Sequence, residues 1–251
     1  MTTEVGLQKD GEIAVITVDN PPVNALKQVV RAGLLSTLTQ ARDDAATRAI
    51  VLVGAGRTFI AGADITEFSK PSQPPSLPEI IGLIENSPKP VIAAMHGTPL
   101  GGGLELTLAC DLVVASERAR LGQPEIALGI IPGFGGTQRL VRRVGLGRAR
   151  ELIYLGTMIP AADALRLGLV DRVVPPADVA TAAAALAAEL AAKAPIALRE
   201  AKRATAVAAD AELATGCRYE VEAFAITFAT EDRVEGTRAF VEKRAPVWKG
   251  R

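Results

Sequence analysis

Short, continuous apolar runs alternate with helical patterns through the first two thirds of the chain, and this alternation constrains the fold most. The runs at residues 48–56 (RAIVLVGAG), 90–97 (PVIAAMHG) and 111–117 (DLVVASE) are rich in Val, Ile, Leu and Ala, which is typical of buried strands. Helical patterns lie between them, at residues 25–42 and directly after a run of three glycines. Strands that alternate with helices in this way predict an α/β domain.

Further local signals complete the first part of the chain. Asp10-Gly11 joins two alternating segments, which predicts a β-hairpin. A helix is predicted to begin near Phe134 and to continue through the segment GTQRLVRRVG. Residues 69–79 (SKPSQPPSLPE) contain four prolines, and we expect an irregular surface loop there.

Strand signals stop at Asp178, and the rest of the chain has helical patterns. The first of them, residues 177–195, is an Ala/Leu-rich helix ending before a proline, and residues 196–210 and 216–230 also predict helices. A short helix and a tail are expected in residues 231–251. We therefore predict a core over residues 1–190 and a helical module over residues 191–251.

Composition excludes several classes of protein. Hydrophobic residues form 49% of the 251 residues and aromatic residues only 4%, so the core must be aliphatic. Lys plus Arg and Asp plus Glu each total 28, which argues against nucleic acid or an anionic membrane as the partner. The first residues lack a secretory pattern and no apolar stretch is long enough to span a bilayer, so a cytoplasmic location is expected. Cys110 and Cys217 are predicted to be buried, reduced thiols.

Common catalytic signatures are missing from the sequence. No P-loop, GxSxG elbow or complete GxGxxG fingerprint occurs. The single histidine, His96, is interpreted as a structural residue, and no metal site is predicted. What remains is a set of three segments rich in glycine and other small residues: RTFIAGADITEF, GTPLGGGLELTLACD and LGQPEIALGIIPGFGGTQRL.

Two of these segments each carry one carboxylate among apolar residues, Glu105 and Glu125. They are separated by 125 − 105 = 20 residues, enough for a helix, a strand and a turn, so the two carboxylates could converge. Glycine-rich turns offer backbone N–H groups that can bind a developing oxyanion. Two neighbouring carboxylates in an apolar site cannot both ionise easily, so one can act as an acid. The combination indicates a reaction that passes through an anionic oxygen.

Each feature also has a structural interpretation when it is taken alone. The triple glycine could serve close packing of a helix against a strand. Glu105 could interact with the positive end of a helix, and Glu125 could be an exposed turn residue after Pro124. It is the occurrence of all three segments together that favours the catalytic interpretation.

The segments FIAGADITEF, GGGLELTLACD and GQPEIALGIIPGFGGTQRL resemble the enoyl-CoA hydratase/isomerase (crotonase) family. The similarity extends to NPPVNAL near the start and AFVEKRAPVWKG near the end. It implies a crotonase-like α/β fold, a spiral of ββα units followed by a C-terminal helical trimerisation region. It also implies fatty-acid metabolism, an acyl-CoA substrate and a homotrimer or dimer of trimers, with coenzyme A as part of the substrate and no separate cofactor.

The resemblance assigns roles to individual residues. The N–H groups of Ala63 and Gly102 would form the oxyanion hole for the thioester. Glu105 and Glu125 fall on the two catalytic carboxylates, Glu105 as the base on water and Glu125 as the acid toward Cα. The residues expected to bind CoA or the substrate are Arg57, Ala61, Asp64, Ile65, Gly133, Phe240 and Lys243.

The resemblance leaves the reaction itself open among three hypotheses. The presence of both glutamates favours hydration of a 2-trans-enoyl-CoA to a 3-hydroxyacyl-CoA. The alternatives are another reaction of the family, such as Δ3,Δ2-enoyl-CoA isomerisation, and an acyl-CoA-binding protein without catalysis. Phe134 is bulky and the proline-rich segment is expected to shape the acyl pocket, so the chain-length preference also stays open.

Overall fold

A six-stranded sheet forms the centre of the protein in the computed structural model, which describes residues 4–71 and 73–251. Strand β1 is antiparallel to β2, and the remaining neighbours are parallel in the order β1-β2-β3-β4-β5-β8. The strands β1 to β5 and β8 are Val5–Asp10, Ile13–Val18, Ala49–Gly54, Val91–Met95, Leu112–Ser116 and Arg172–Val174. Two further strands, β6 (Arg120–Gly122) and β7 (Met158–Pro160), form a small antiparallel pair.

Helices cover both faces of this sheet and make up the C-terminal part. The helices α1 to α9 are, in chain order, Gln28–Asp43, Leu77–Glu85, Gly102–Ala109, Gly136–Leu155, Ala161–Arg166, Val179–Ala191, Pro195–Val207, Leu213–Phe228 and Glu231–Val241. Short 3₁₀ segments lie at Ile65–Glu67, Pro124–Leu128 and Pro176–Asp178.

The sheet separates two layers of buried side chains. In β3, Ile50 and Leu52 belong to a core shared with α1, α2 and α3, whereas Ala49 and Val51 belong to a core covered by α6. This alternation follows from the two-residue period of a strand. Since both faces are covered, the strands need apolar residues at every position, which explains the continuous apolar runs.

Most of the predicted elements are confirmed. The hairpin turns at Gly11, whose φ is +57°, and β3, β4 and β5 fall within the three apolar runs. Two predictions are wrong at their boundaries. Helix α4 begins at Gly136 because Gly135 adopts a left-handed conformation, so Phe134 lies before the helix.

The proline-rich segment is only partly the loop that the sequence predicts. Helix α2 begins at Leu77, within residues 69–79, while Ser72 lies outside the described residues. Ser76 and Glu79 form a capping box, and Pro78 occupies the first turn. A proline there costs little because the N–H groups of the first turn have no partner within the helix.

The C-terminal helices follow the last strand, as predicted. Helix α6 packs on the sheet, and the division at residue 190 stays a prediction.

The cysteine prediction is half wrong: Cys110 is buried, but Cys217 is exposed on α8. Among the described residues, no single helix is long and apolar enough to cross a membrane. The segments Pro176–Ala191 and Pro195–Val207 reach that length and composition only together, bent by 108°.

Candidate active site

Glu105 is a buried carboxylate in α3 that binds the N-terminal end of another helix, α4. It lies in the first turn of α3, all of whose residues are buried. Its Oε1 accepts hydrogen bonds from the N–H groups of Phe134, at 2.8 Å, and Gly136, at 2.7 Å. These groups belong to the N-terminal end of α4, where N–H groups have no helical partner and favour a negative charge.

The second oxygen of Glu105 has no such partner. Oε2 is buried and makes no hydrogen bond to any of the described residues. A buried polar atom without a partner is uncommon and calls for an explanation by function or bound water. Burial raises the pKa of Glu105 above its ordinary value, although the N–H groups of Gly136 and Phe134 and the charge of Arg139 oppose that change. The free oxygen is therefore a site at which a water molecule or substrate atom can be bound.

Glu125 is brought beside Glu105 by the pairing of β6 with the glycine triplet. The N–H of Gly101 donates to the carbonyl of Gly122 at 3.1 Å, and Glu125 follows three residues later in a 3₁₀ segment. A Cβ atom placed on Gly101 would lie 2.8 Å from Glu125 Oε1. Burial, reinforced by the negative charge of Glu105, raises the pKa of Glu125 to about 7. One carboxyl of the pair can thus keep its proton near neutral pH.

The Gln123 carboxamide lies next to this pair and was missed by the sequence analysis. Its side chain is buried. With the amide nitrogen turned toward Glu125, it donates to both carboxylate oxygens, at 2.9 and 3.1 Å. In this orientation the amide restrains the position of the Glu125 carboxyl group. The only signal in the sequence is a polar residue at the end of a strand too short to show a period.

The backbone N–H groups of Ala63 and Gly102 come close together, as the sequence predicts for an oxyanion hole. A Cβ atom placed on Gly102 would lie 3.4 Å from Ala63 N. Leu26 donates its N–H to the Gly62 carbonyl at 2.8 Å and so holds the Ala63 turn. Within residues 4–71 and 73–251, neither of the two N–H groups is bonded to a protein acceptor. Both are available for a ligand oxygen.

A cavity of about 850 Å³ opens in front of this turn. Ala63 and Asp64 of the turn line it together with apolar residues that include Leu26, Leu77, Ile130 and Phe134. Polar and charged residues also line it: Gln28, Arg31, Glu67, Lys70, Gln73 and Ser76. Phe134 connects the cavity to the carboxylates, since its side chain lines the wall and its N–H binds Glu105. A cavity whose lining combines apolar and polar residues suits a ligand that has both a hydrocarbon part and polar groups.

Of the residues predicted to bind CoA or the substrate, Asp64 lines the cavity and the others do not. Asp64 lines the cavity, and its carboxylate accepts from the N–H of Thr66 at 2.9 Å, capping the 3₁₀ segment. Ala61 and Ile65 flank the Ala63 turn, and Ile65 is exposed. The other predicted residues are exposed and lie outside the lining of this cavity: Arg57, Gly133, Phe240 and Lys243. Gly133 does not open α4, so the N–H groups aimed at Glu105 come from its neighbours.

Comparison with known proteins decides the family. The sequence profile described as enoyl-CoA hydratase/isomerase matches residues 8–251. A short-chain-enoyl-CoA hydratase of Clostridium acetobutylicum is 39% identical, over 95% of this chain and 94% of the relative. A crotonyl-CoA hydratase of Syntrophomonas wolfei is 38% identical, over 95% of each chain. The crystal structure of enoyl-CoA hydratase from Bacillus anthracis superimposes with a TM-score of 0.94 at 40% identity and covers 99% of this chain and 100% of its own.

The chain belongs to the enoyl-CoA hydratase/isomerase family. The resemblance stated from the sequence is confirmed, and so is the crotonase-like α/β fold with helices at the C-terminal end. The roles of single residues in this family member stay predictions, as does the trimerisation role of the C-terminal helices. The described residues contain no group of three or more His, Cys, Asp or Glu side chains that could hold a metal ion.

Proposed function

We propose that the protein hydrates 2-trans-enoyl-CoA thioesters to 3-hydroxyacyl-CoA. The observation that carries the proposal is the pair of carboxylates: Glu105 with one free buried oxygen, beside Glu125 with a pKa of about 7. The full-length similarity to proteins named as a short-chain-enoyl-CoA hydratase and a crotonyl-CoA hydratase supports the same reaction.

The reaction follows from the positions of these groups. The thioester oxygen accepts hydrogen bonds from the N–H groups of Ala63 and Gly102, which polarises the conjugated double bond. Ionised Glu105 takes a proton from water through Oε2, and the water oxygen bonds to Cβ. The π electrons move to form an enolate whose charge lies on the bound oxygen. Glu125 then gives its proton to Cα and becomes ionised, so the substrate has gained one water. The proton that Glu105 took from water returns to Glu125, directly or through solvent, which restores both carboxyl groups for the next turnover.

The experiment is an activity panel of crotonyl-, octenoyl- and dodecenoyl-CoA, with the products identified by mass spectrometry. Hydration adds the mass of one water, whereas isomerisation of a matching 3-enoyl-CoA leaves the mass unchanged. We expect hydration, and Glu125→Gln should lower kcat by about 100- to 10,000-fold while the fold is retained. Binding of thioesters with neither product would favour the non-catalytic alternative, and the isomerised product alone would favour the isomerase.

The assembly is part of the same proposal: a homotrimer or a dimer of trimers. Large apolar side chains are exposed on the C-terminal helices, among them Leu213 (82%), Phe224 (62%) and Phe240 (86%). Several large apolar side chains exposed on one part of a protein are typical of a surface that another chain covers. Light scattering coupled to size exclusion would give the mass, and a monomer at micromolar concentration would refute the proposal. A cytoplasmic location is likewise proposed, and cell fractionation would test it.

A further inference from the structure

Arg31, in α1, is one of the residues that line the cavity, and its side chain connects α1 to three other segments. Its guanidinium donates to the carbonyls of Leu26 and Pro75, both at 2.8 Å, and to the carbonyl of Gln73 at 3.0 Å. It also donates to Glu67 Oε2 at 2.9 Å. Only 13% of the side chain is exposed. An arginine so placed uses its rigid fork of N–H donors to hold several backbone segments at once.

Glu67 completes this connection. Its Oε1 accepts the N–H of Gln28, in the first turn of α1, at 2.9 Å, while Oε2 accepts from Arg31. Burial would raise the pKa of Glu67, but the Gln28 N–H and the Arg31 guanidinium outweigh it, and the pKa lies below its ordinary value. The carboxylate therefore stays ionised and ties the 3₁₀ segment Ile65–Glu67 to α1.

The segments to which Arg31 bonds contribute residues to the lining of one cavity, among them Leu26, Glu67 and Gln73. Leu26 supports the Ala63 turn, because its N–H binds Gly62. The carbonyls of Gln73 and Pro75 belong to the proline-rich segment, which leads into Leu77 of α2. Arg31 thus bonds at the same time to the residue that supports the Ala63 turn and to the proline-rich segment that leads into α2.

We propose that Arg31 is a positioning residue that sets the width of the acyl end of this cavity and thereby the chain-length preference of the hydratase. This inference rests on the proposed function. Arg31 acts through Pro75, Gln73 and Leu26, and the reacting atoms lie elsewhere, at Glu105 and Glu125. The apolar part of the lining, which includes Leu77, Ile130 and Phe134, suits the hydrocarbon end of an enoyl-CoA.

Arg31→Met tests the inference, because methionine keeps an unbranched side chain but removes all four hydrogen bonds. The wall at Gln73 and Pro75 is then free to move outward. We expect the ratio of kcat/KM for dodecenoyl-CoA to that for crotonyl-CoA to rise about tenfold. The change should lie in KM, with kcat on crotonyl-CoA within about threefold of the wild-type value. Arg31→Lys keeps the charge beside Glu67 but lacks the fork, so it should restore part of the wild-type ratio.

Arg42→Met is the matched control, since Arg42 lies in the last turn of the same helix and, among the residues that the structure describes, its side chain bonds only to the neighbouring Asp43. It should leave the ratio unchanged. An Arg31→Met ratio equal to that of the control, or an equal loss for every chain length, would overturn the inference. If Arg31→Met does not fold, Glu67→Gln is measured in its place, and we expect a smaller rise of the same ratio.

Calorimetric Kd values for butyryl- and dodecanoyl-CoA separate this inference from the proposed function. These saturated thioesters bind without being hydrated. The ratio of their Kd values therefore depends on the width of the cavity even in a protein that has no hydratase activity. A wild-type protein without hydration would refute the proposed function. A Kd ratio unchanged in Arg31→Met would refute the role of Arg31.

Discussion

The raised pKa of Glu125 makes a prediction about stability that can be measured without substrate. In the folded protein the pKa is about 7, against an ordinary value of 4.5. The folded state therefore binds this proton more tightly than the unfolded state does. The resulting stabilisation is fully present below about pH 4.5 and is lost as the pH rises through about 7.

Glu125→Gln removes this titration, which sets the size of the effect. At about 1.4 kcal/mol per pKa unit, and with a discount because solvent screens this half-buried carboxyl, ionisation of Glu125 lowers the free energy of unfolding of the wild-type protein by about 1–2 kcal/mol between pH 5 and pH 9. The glutamine variant does not suffer this loss. The difference in unfolding free energy between variant and wild type should therefore grow in favour of the variant by that amount as the pH rises.

The assay is urea unfolding followed by circular dichroism at a fixed protein concentration, from pH 5 to pH 9. Glu117→Gln is the control, because Glu117 is an exposed carboxylate in the turn after β5. It should follow the wild-type curve at every pH. Parallel curves for Glu125→Gln and the wild type would show that Glu125 ionises as easily in the folded protein as in the unfolded chain. A gap that narrows with rising pH would refute the reasoning outright.

Three further predictions concern the glycine turn, the Glu105 carboxylate and the C-terminal tail. Gly103→Ala should lower the unfolding free energy, measured by thermal denaturation, by about 3 kcal/mol, because the added Cβ would lie 2.1 Å from the Ile60 carbonyl oxygen. Gly102→Ala should lower it by less, because its added Cβ would lie 3.2 Å from Leu77 Cδ2. Glu105→Gln should fold but lose about 100-fold or more in kcat, measured by steady-state hydration. Asp232→Ala should lose about 2 kcal/mol and expose the C-terminal tail to proteolysis, since the buried carboxylate accepts the N–H groups of Lys249 and Gly250 at 2.6 and 2.9 Å.

The buried strands could be predicted from sequence because a doubly covered sheet needs continuous apolar runs. The two short strands β6 and β7 could not be, since three residues carry no readable period. Helix α2 was hidden by its prolines, although Ser76 and Glu79 already had the spacing of a capping box. Pro78 lies in the first turn of α2, where a proline is tolerated, so the number of prolines alone predicts the wrong start for this helix.

The site shows the same division between local and tertiary information. Isolation among apolar residues was enough to select Glu105 and Glu125 as candidates. Their proximity depends on the pairing of Gly101 with Gly122, which is a tertiary contact that spacing alone permits but does not specify. The role of Arg31 was invisible for a related reason, because an arginine near the start of an amphipathic helix is indistinguishable in sequence from a solvated one.

The three glycines of the triplet are required for three different physical reasons. Gly101 has a φ of +50° and faces Glu125 Oε1, so a side chain there would strain the backbone and displace the acid. Gly102 lies against Ala63 N, and Gly103 lies against the Ile60 carbonyl. Because the Glu105 N–H also donates to the Gly101 carbonyl at 2.8 Å, this one turn fixes the Gly102 N–H group and both carboxylates relative to each other. Alanine at Gly101 should therefore reduce kcat through the acid, and alanine at Gly103 should reduce stability first.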